Sequence, residues 1–167
     1  MEIGYYRHEY SGNLYYAPYV GMHTETGESH VIYMRPDLLE EERQIYVRPE
    51  SMFTETIELY VDSNGEYVKP REAQEGEVYD TVTTPRFVFL GPCLKREHMP
   101  QEFLLSLREV YGIEVKKDAL RKKYRARGGD FCSSLTEGWG ETPEEAVSKL
   151  AWWLWVEKHP GFPTEDS

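Results

Sequence analysis

Tyr6, Arg7, His8, Tyr15, His23 and Arg48 combine rings that stack with cations that pair with oxyanions. That is the chemistry needed to hold a nucleotide or another planar anionic ligand. The same residues also have a purely structural reading, with the Tyr rings packing strands and Arg48 hydrogen-bonding a turn. A second cationic group, Lys116, Lys117, Arg121, Lys122, Lys123, Arg125 and Arg127, is crowded into one short segment. With Tyr124 and Ala126 facing a core, Lys123, Arg125 and Arg127 line up on the opposite face of a strand. Such a face is solvated, docks against an acidic surface, or binds an anionic ligand.

Patterns for catalysis are missing. The chain has no phosphate-cradling glycine loop followed by Lys-Ser/Thr, no His-x-x-x-His pair and no nucleophile elbow. Nothing in the spacing of Cys132, Ser133 and His159 favours a hydrolytic set, and no carboxylate sits in an apolar stretch that would tune it for acid–base work. His8, His23 and His30 fall on separate loops without paired spacing, so neither a metal site nor a cofactor is expected. Cys93 and Cys132 read as ordinary reduced thiols of a cytoplasmic protein. The first residues, Met1-Glu2-Ile3-Gly4, lack the basic start and apolar stretch of a signal peptide, and no apolar run is long enough to span a bilayer.

Charge divides the chain. Residues 1–60 carry 4 basic and 11 acidic side chains, residues 61–90 carry 3 and 6, and residues 91–167 carry 12 and 13. The acidity of the N-terminal half argues against double-stranded nucleic acid there, because duplex binding gains affinity by neutralising phosphates. Such acidity either meets a basic protein partner or, as in most acidic proteins, simply keeps the chain soluble.

The elements that must position these residues change type along the chain. Tyr5–Arg7, Leu14–Val20, His30–Met34, Gln44–Val47 and Thr56–Val61 are short runs rich in Tyr, Val and Ile, separated by turn residues, and they read as strands of a small barrel or half-open roll. Leu38–Arg43 is either one helical turn or a loop. Val78–Val82 and Arg86–Leu90 read as one more hairpin, and the boundary between halves falls near residues 91–99. From Pro100, Phe103, Leu104, Leu107, Val110 and Tyr111 share a helical stripe, which Gly112 ends as a C′ residue with Ile113 covering it. Tyr124–Arg127 and Phe131–Leu135 follow as strands joined by Gly128-Gly129. A last helix begins at Thr142 as N-cap, with Pro143 at its first position and Glu145 closing a capping box, and stops near Lys158. Ala146, Val147, Leu150, Trp153 and Leu154 are expected on its core stripe. Trp152, with Trp155 and Val156 flanking it, falls on a second face, expected to be covered by the N-terminal half or by another copy of the chain.

Tyr6-Arg7-His8, Gly12-Asn13-Leu14-Tyr15, His23-Thr24-Glu25-Thr26-Gly27-Glu28, Val31-Ile32-Tyr33 and Tyr46-Val47-Arg48-Pro49-x-x-Met52-Phe53 resemble a bacterial and phage module classed as a domain of unknown function. The resemblance spans about residues 4–55 and implies a compact SH3-like β module without an established activity. Glu9-Tyr10 before Gly12, Tyr46 in place of Trp, and the acidic run 37–42 depart from its pattern. Residues 100–158 more weakly resemble the double-stranded-RNA-binding fold and its HicB-type antitoxin relatives, in which a Gly-x-Thr-x-Glu-Glu-Ala turn also opens the last helix. Glu141, Glu144 and Glu145 at that helix start would repel phosphate, which argues against double-stranded RNA.

The expected architecture is thus α+β, with a β-rich module over residues 1–90 and an α-β-β(-β)-α module over residues 91–167. The expected function is a non-enzymatic binding protein that sequesters an anionic nucleotide-type signal, in concrete form a phage counter-defence protein in host cytoplasm. The alternative is a protein-binding inhibitor or antitoxin-like adaptor acting through the acidic face or the Trp patch, with a homodimer through Trp152 and Trp155 as a further possible assembly.

Overall fold

The computed structural model describes residues 1–128 and 137–165, so the strand expected at 131–135, together with Cys132 and Ser133, lies outside the described residues. The chain forms two compact units, Met1–Pro92 and Cys93–Ser167, with the mixed strand and helix content of an α+β protein.

The first unit contains two antiparallel sheets. Its strands are β1 (Gly4–His8), β2 (Leu14–Met22), β3 (Ser29–Met34), β4 (Ile45–Pro49), β5 (Thr56–Val61), β6 (Tyr67–Val68), β7 (Asp80–Pro85) and β8 (Phe87–Gly91), with a one-turn helix α1 (Glu50–Phe53) after β4. One sheet has the order β4-β3-β2-β1-β8 and the other β6-β5-β7. Strands β1 to β4 are a simple meander, as turn chemistry at 11–13 and 25–28 dictates. The expected hairpin between residues 78–82 and 86–90 does not form. Strand β7 pairs with β5 and β8 with β1, so the chain changes sheets at Arg86. The cause is Phe87, which stacks on Phe53 at 4.2 Å in the aromatic core and draws β8 onto the β1 edge of the larger sheet. Tyr6, Ala17, Val31, Tyr33, Phe53 and Phe87 form that core, edged by Tyr15, Tyr46 and Phe89. Leu38–Arg43 contains one 3-10 turn, Glu40–Glu42.

In the second unit, helix α2 (Gln101–Val110) is followed by β9 (Ile113–Asp118), β10 (Lys123–Gly128), β11 (Glu137–Gly140) and helix α3 (Pro143–Lys158). The three strands form one antiparallel sheet of order β11-β10-β9. Leu104, Leu107 and Tyr111 are buried as the α2 stripe requires, but Val110 is exposed, and Gly112 takes the left-handed φ of 58° that a C′ residue needs. At the start of α3, Thr142 accepts from the Glu145 backbone N–H at 3.1 Å, and the Glu145 carboxylate accepts from the Glu141 N–H at 2.9 Å, one residue earlier than a capping box would place it.

Strand β11 reads Glu-Gly-Trp-Gly, and its glycines face α3. A Cβ at Gly138 would lie 2.1 Å from the Ala146 carbonyl oxygen, and one at Gly140 would lie 2.6 Å from the Ala146 nitrogen. Helix and strand can approach this closely only because both positions lack side chains and the helix offers Ala146. Alternation then sends Trp139 to the opposite face.

Helix α3 is buried over a wider arc than one stripe. Ala146, Val147, Leu150 and Leu154 are buried as expected, and so are Ser148, Ala151, Trp152 and Trp155. The expectation for Trp153 is corrected: it is the exposed member of the cluster, at 45%. Trp152 and Trp155, expected at an interface, are each 1% exposed within the single chain, and Val156 is half-buried. Their rings stack at 5.8 Å, and Trp155 is in turn covered by His159 at 4.8 Å and Phe162 at 5.5 Å. The tail is held there by Leu94, whose N–H donates to the Pro163 carbonyl and whose carbonyl accepts from the Glu165 N–H.

Candidate ligand-binding sites

The expected ligand residues of the N-terminal unit separate into three groups. Tyr6 is in the core, its hydroxyl donating to the Glu2 carbonyl at 2.7 Å, and burial followed by the nearby Glu2 carboxylate pushes its pKa up to about 12. Tyr15 packs edge-on against Tyr33, Tyr46 and Phe87. These two Tyr rings follow the structural reading. Arg7 and His23 are exposed; His23 lies on the β2–β3 turn with its ring 5.8 Å from His30. Among the described residues no group of three His, Cys, Asp or Glu is placed to hold a metal.

His8 and Arg48 do come together. The Arg48 guanidinium lies over the Phe87 ring at 5.8 Å, and His8 meets the same ring at 5.0 Å. His8 in turn lines a cavity of about 330 Å³ with Tyr10, Ile57, Glu58, Leu59, Lys69, Pro70, Arg71 and Arg86, so one carboxylate, Glu58, stands among the cations. Strand β1 contributes His8, strand β5 the apolar wall, and the 3-10 turn Pro70–Glu72 with Lys69 as its N-cap the outer cations. Lys69, Arg71 and Arg86 are all the basic residues between positions 61 and 90. Counting Arg48, four of the seven basic side chains in residues 1–90 converge on His8 in a strongly acidic unit.

Electrostatics at His8 follow from that convergence. Burial, then Arg86, Arg48 and Lys69, hold its pKa below the ordinary 6.5. The Ser11 backbone N–H donates to His8 Nδ1 at 3.2 Å, which a neutral ring with its proton on Nε2 can accept. Unfolded chains take up a proton near 6.5 and the folded chain only at lower pH. This stabilising contribution is therefore present above 6.5 and is lost as pH falls through the depressed folded value. Carboxylates partly balance the cations: Arg86 pairs with Glu55, while Lys69 and Arg71 share Glu72 at 3.8 and 3.7 Å. Lys69 also sits 4.3 Å above the Tyr10 ring, whose hydroxyl donates to Glu72.

The sequence reading missed Tyr10, Lys69, Arg71 and Arg86. The signal it held was the concentration of every basic residue of 61–90 at Lys69-Pro70-Arg71 and Arg86, both next to proline.

A family model described as "Protein of unknown function (DUF1653)" matches residues 4–88, just over half of the chain. The chain belongs to the DUF1653 family. Neither a curated protein nor a solved structure matches it. The match extends well past the 4–55 span of the motifs and takes in β5, β6 and β7, so every residue lining the His8 cavity belongs to the DUF1653 domain.

The second expected group lies in the other unit. Ala126 is buried and Lys123 and Arg127 are exposed, so β10 alternates about the sheet. Lys123 pairs with Glu141 at 2.8 Å, and Arg127 Nε donates to Glu137 at 2.7 Å, which holds that carboxylate below its usual range. Arg125 instead lies 5.7 Å over the Trp139 ring. Of the three, only Arg125 forms no ion pair among the described residues, although its charge also favours the ionised Glu137 carboxylate.

Proposed function

We propose that this DUF1653 protein is a non-enzymatic binder of a small anionic ligand of nucleotide type, held in the His8 cavity of an SH3-like β module. The observation that carries this reading is the gathering of Lys69, Arg71, Arg86 and Arg48 around one half-buried histidine in an otherwise acidic unit. A half-buried imidazole with several cations turned toward it is an arrangement that functional sites favour, although Arg86, Lys69 and Arg71 are also ion-paired with Glu55 and Glu72. The volume suits a mononucleotide-sized molecule, with Ile57 and Leu59 as apolar wall and the cations for phosphate. Sequestration of a nucleotide signal, as a phage counter-defence protein would perform it, is the biological form this reading takes.

Calorimetry with nucleoside monophosphates and cyclic dinucleotides tests it. Lys69→Ala, Arg71→Ala and Arg48→Ala are each expected to weaken binding about ten-fold, the worth of one hydrogen bond to a charged group. In parallel, the His8 ring is followed by NMR. Its midpoint is expected below 6.5 in the free protein and to rise on adding inorganic phosphate, because a bound dianion favours the imidazolium. No heat with any nucleotide and a His8 midpoint indifferent to phosphate would together sink the reading.

One observation favours a second reading, a protein-binding adaptor. Tyr19, Ile32 and Val47 are cross-strand neighbours on β2, β3 and β4, and Met34 pairs with Ile45 beside them. Ile45 and Val47 are 68% and 64% exposed on the edge strand β4, and Tyr19 is 66% exposed. The acidic 3-10 turn Glu40–Glu42 leads directly into β4, and a basic partner would complement such a rim where a second copy would bring acid against acid. Such a strip and rim, together with the weaker antitoxin-like resemblance of residues 100–158, suit an inhibitor or antitoxin-like adaptor. A photo-crosslinker at position 47 should give one discrete adduct with a basic protein in cells, lost in Ile45→Glu. A ladder of adducts, or one that persists in Ile45→Glu, would exclude it.

A further inference from the structure

Strand β11 turns its glycines to α3 and so presents Trp139 on the outer face of the C-terminal sheet. Arg125 is its direct cross-strand neighbour on β10, and Lys116 is the neighbour of Arg125 on β9. The Arg121 guanidinium, from the β9–β10 turn, lies 4.6 Å from the Trp139 ring centroid, and Arg125 lies 5.7 Å from it. The other cations of this face are ion-paired: Lys116 with Glu114, Lys123 with Glu141 and Arg127 with Glu137. Among the described residues, no carboxylate forms an ion pair with Arg121 or Arg125. An aromatic face holds a guanidinium in place without neutralising it. Two cations without an ion pair are thus held against one partly buried indole ring, whose Nε1 edge donates to the Glu137 carboxylate at 3.2 Å.

We propose that this face binds single-stranded nucleic acid. The indole ring and the planar guanidinium groups are stacking surfaces for bases, and the same two cations meet the flanking phosphates. An acidic peptide would satisfy the cations but leave the ring without a planar partner. A duplex hides its base faces from a stacking ring. A six-residue strand is about 20 Å long, room for about three nucleotides, so binding is weak and tolerant of sequence. This site belongs to the C-terminal unit and does not depend on the His8 cavity reading.

The test is fluorescence anisotropy of the full chain with labelled oligothymidylate and oligouridylate of about ten nucleotides at low salt. Micromolar binding of either oligomer is expected, and the tighter of the two identifies DNA or RNA as the source. Two phosphate contacts predict a slope of log affinity against log salt of about −1.4. Trp139→Ala is expected to weaken binding about ten-fold or more, with Trp139→Tyr recovering most of it. Because Trp139 is partly buried, Arg121→Glu carries the same test on an exposed side chain and Arg125→Glu on a half-buried one, with circular dichroism confirming the fold of each. The proposal is overturned if neither oligomer binds, if a duplex of equal length binds as tightly, or if both charge reversals leave affinity unchanged.

Discussion

Gly138→Ala is expected to destabilise the C-terminal unit by about 3 kcal/mol or more, at or above the upper end of ordinary overpacking. The added methyl would start 2.1 Å from the Ala146 carbonyl oxygen, 2.9 Å from the Leu150 nitrogen and 3.0 Å from the Leu150 Cβ. Two of those atoms are helix backbone, with no rotamer through which to yield. Relief requires α3 to lift from β11, and lifting exposes Ala146, Leu150 and Leu154, all buried. Gly138→Val should prevent the unit from folding. A glycine elsewhere gives the control: a Cβ at Gly161 meets nothing within 4 Å, so Gly161→Ala should stay within about 0.5 kcal/mol of the parent. Urea unfolding followed by far-ultraviolet circular dichroism reads all three. Equal midpoints for Gly138→Ala and Gly161→Ala would rule out the close packing.

That same segment shows which parts of the fold were legible in the sequence. The start of α3 is, because a cap acts within a few residues: Thr142, Pro143 and Glu145 mark it, and the structure places the helix at Pro143–Lys158. The meander β1 to β4 is legible for a related reason, since turn chemistry joins neighbours along the chain. The fate of residues 86–90 was not. Local pattern allows a hairpin with the preceding strand, and only the distant stacking of Phe87 on Phe53 sends β8 to the other sheet. The cavity was half legible. His8 and Arg48 carry motif signals, whereas Lys69 and Arg71 sit in a stretch indistinguishable by composition from a solvated loop. Tyr6 and Tyr15 show the converse failure. Their residue type suits stacking on a ligand equally well as packing a core, and the structure buries Tyr6 in that core and packs a partly buried Tyr15 against it.

Helix α3 carries the sharpest contrast between adjacent residues. Trp152→Lys is expected to cost more than about 4 kcal/mol, whereas Trp153→Lys should cost less than about 1 kcal/mol. An angular placement from Ala146 puts Trp153 near that residue's line and Trp152 well round the helix, which suggests the opposite outcome. The flaw is the assumption of a single stripe. Buried residues run from Ala146 through Leu150, Leu154, Val147, Ala151 and Trp155 to Trp152, about two thirds of the circumference. Trp153 sits at the edge of that arc beside Ala146, and a large ring there stays 45% exposed. Trp152 closes the other edge, stacked on Trp155, which the tail covers through His159 and Phe162. A lysine at position 152 would lose the indole contacts and strand a charge among rings, while one at position 153 reaches water along its own stem. Thermal or urea unfolding of the two variants decides between one stripe and a wide arc. Two midpoints that fall by the same amount would leave the wide arc without support.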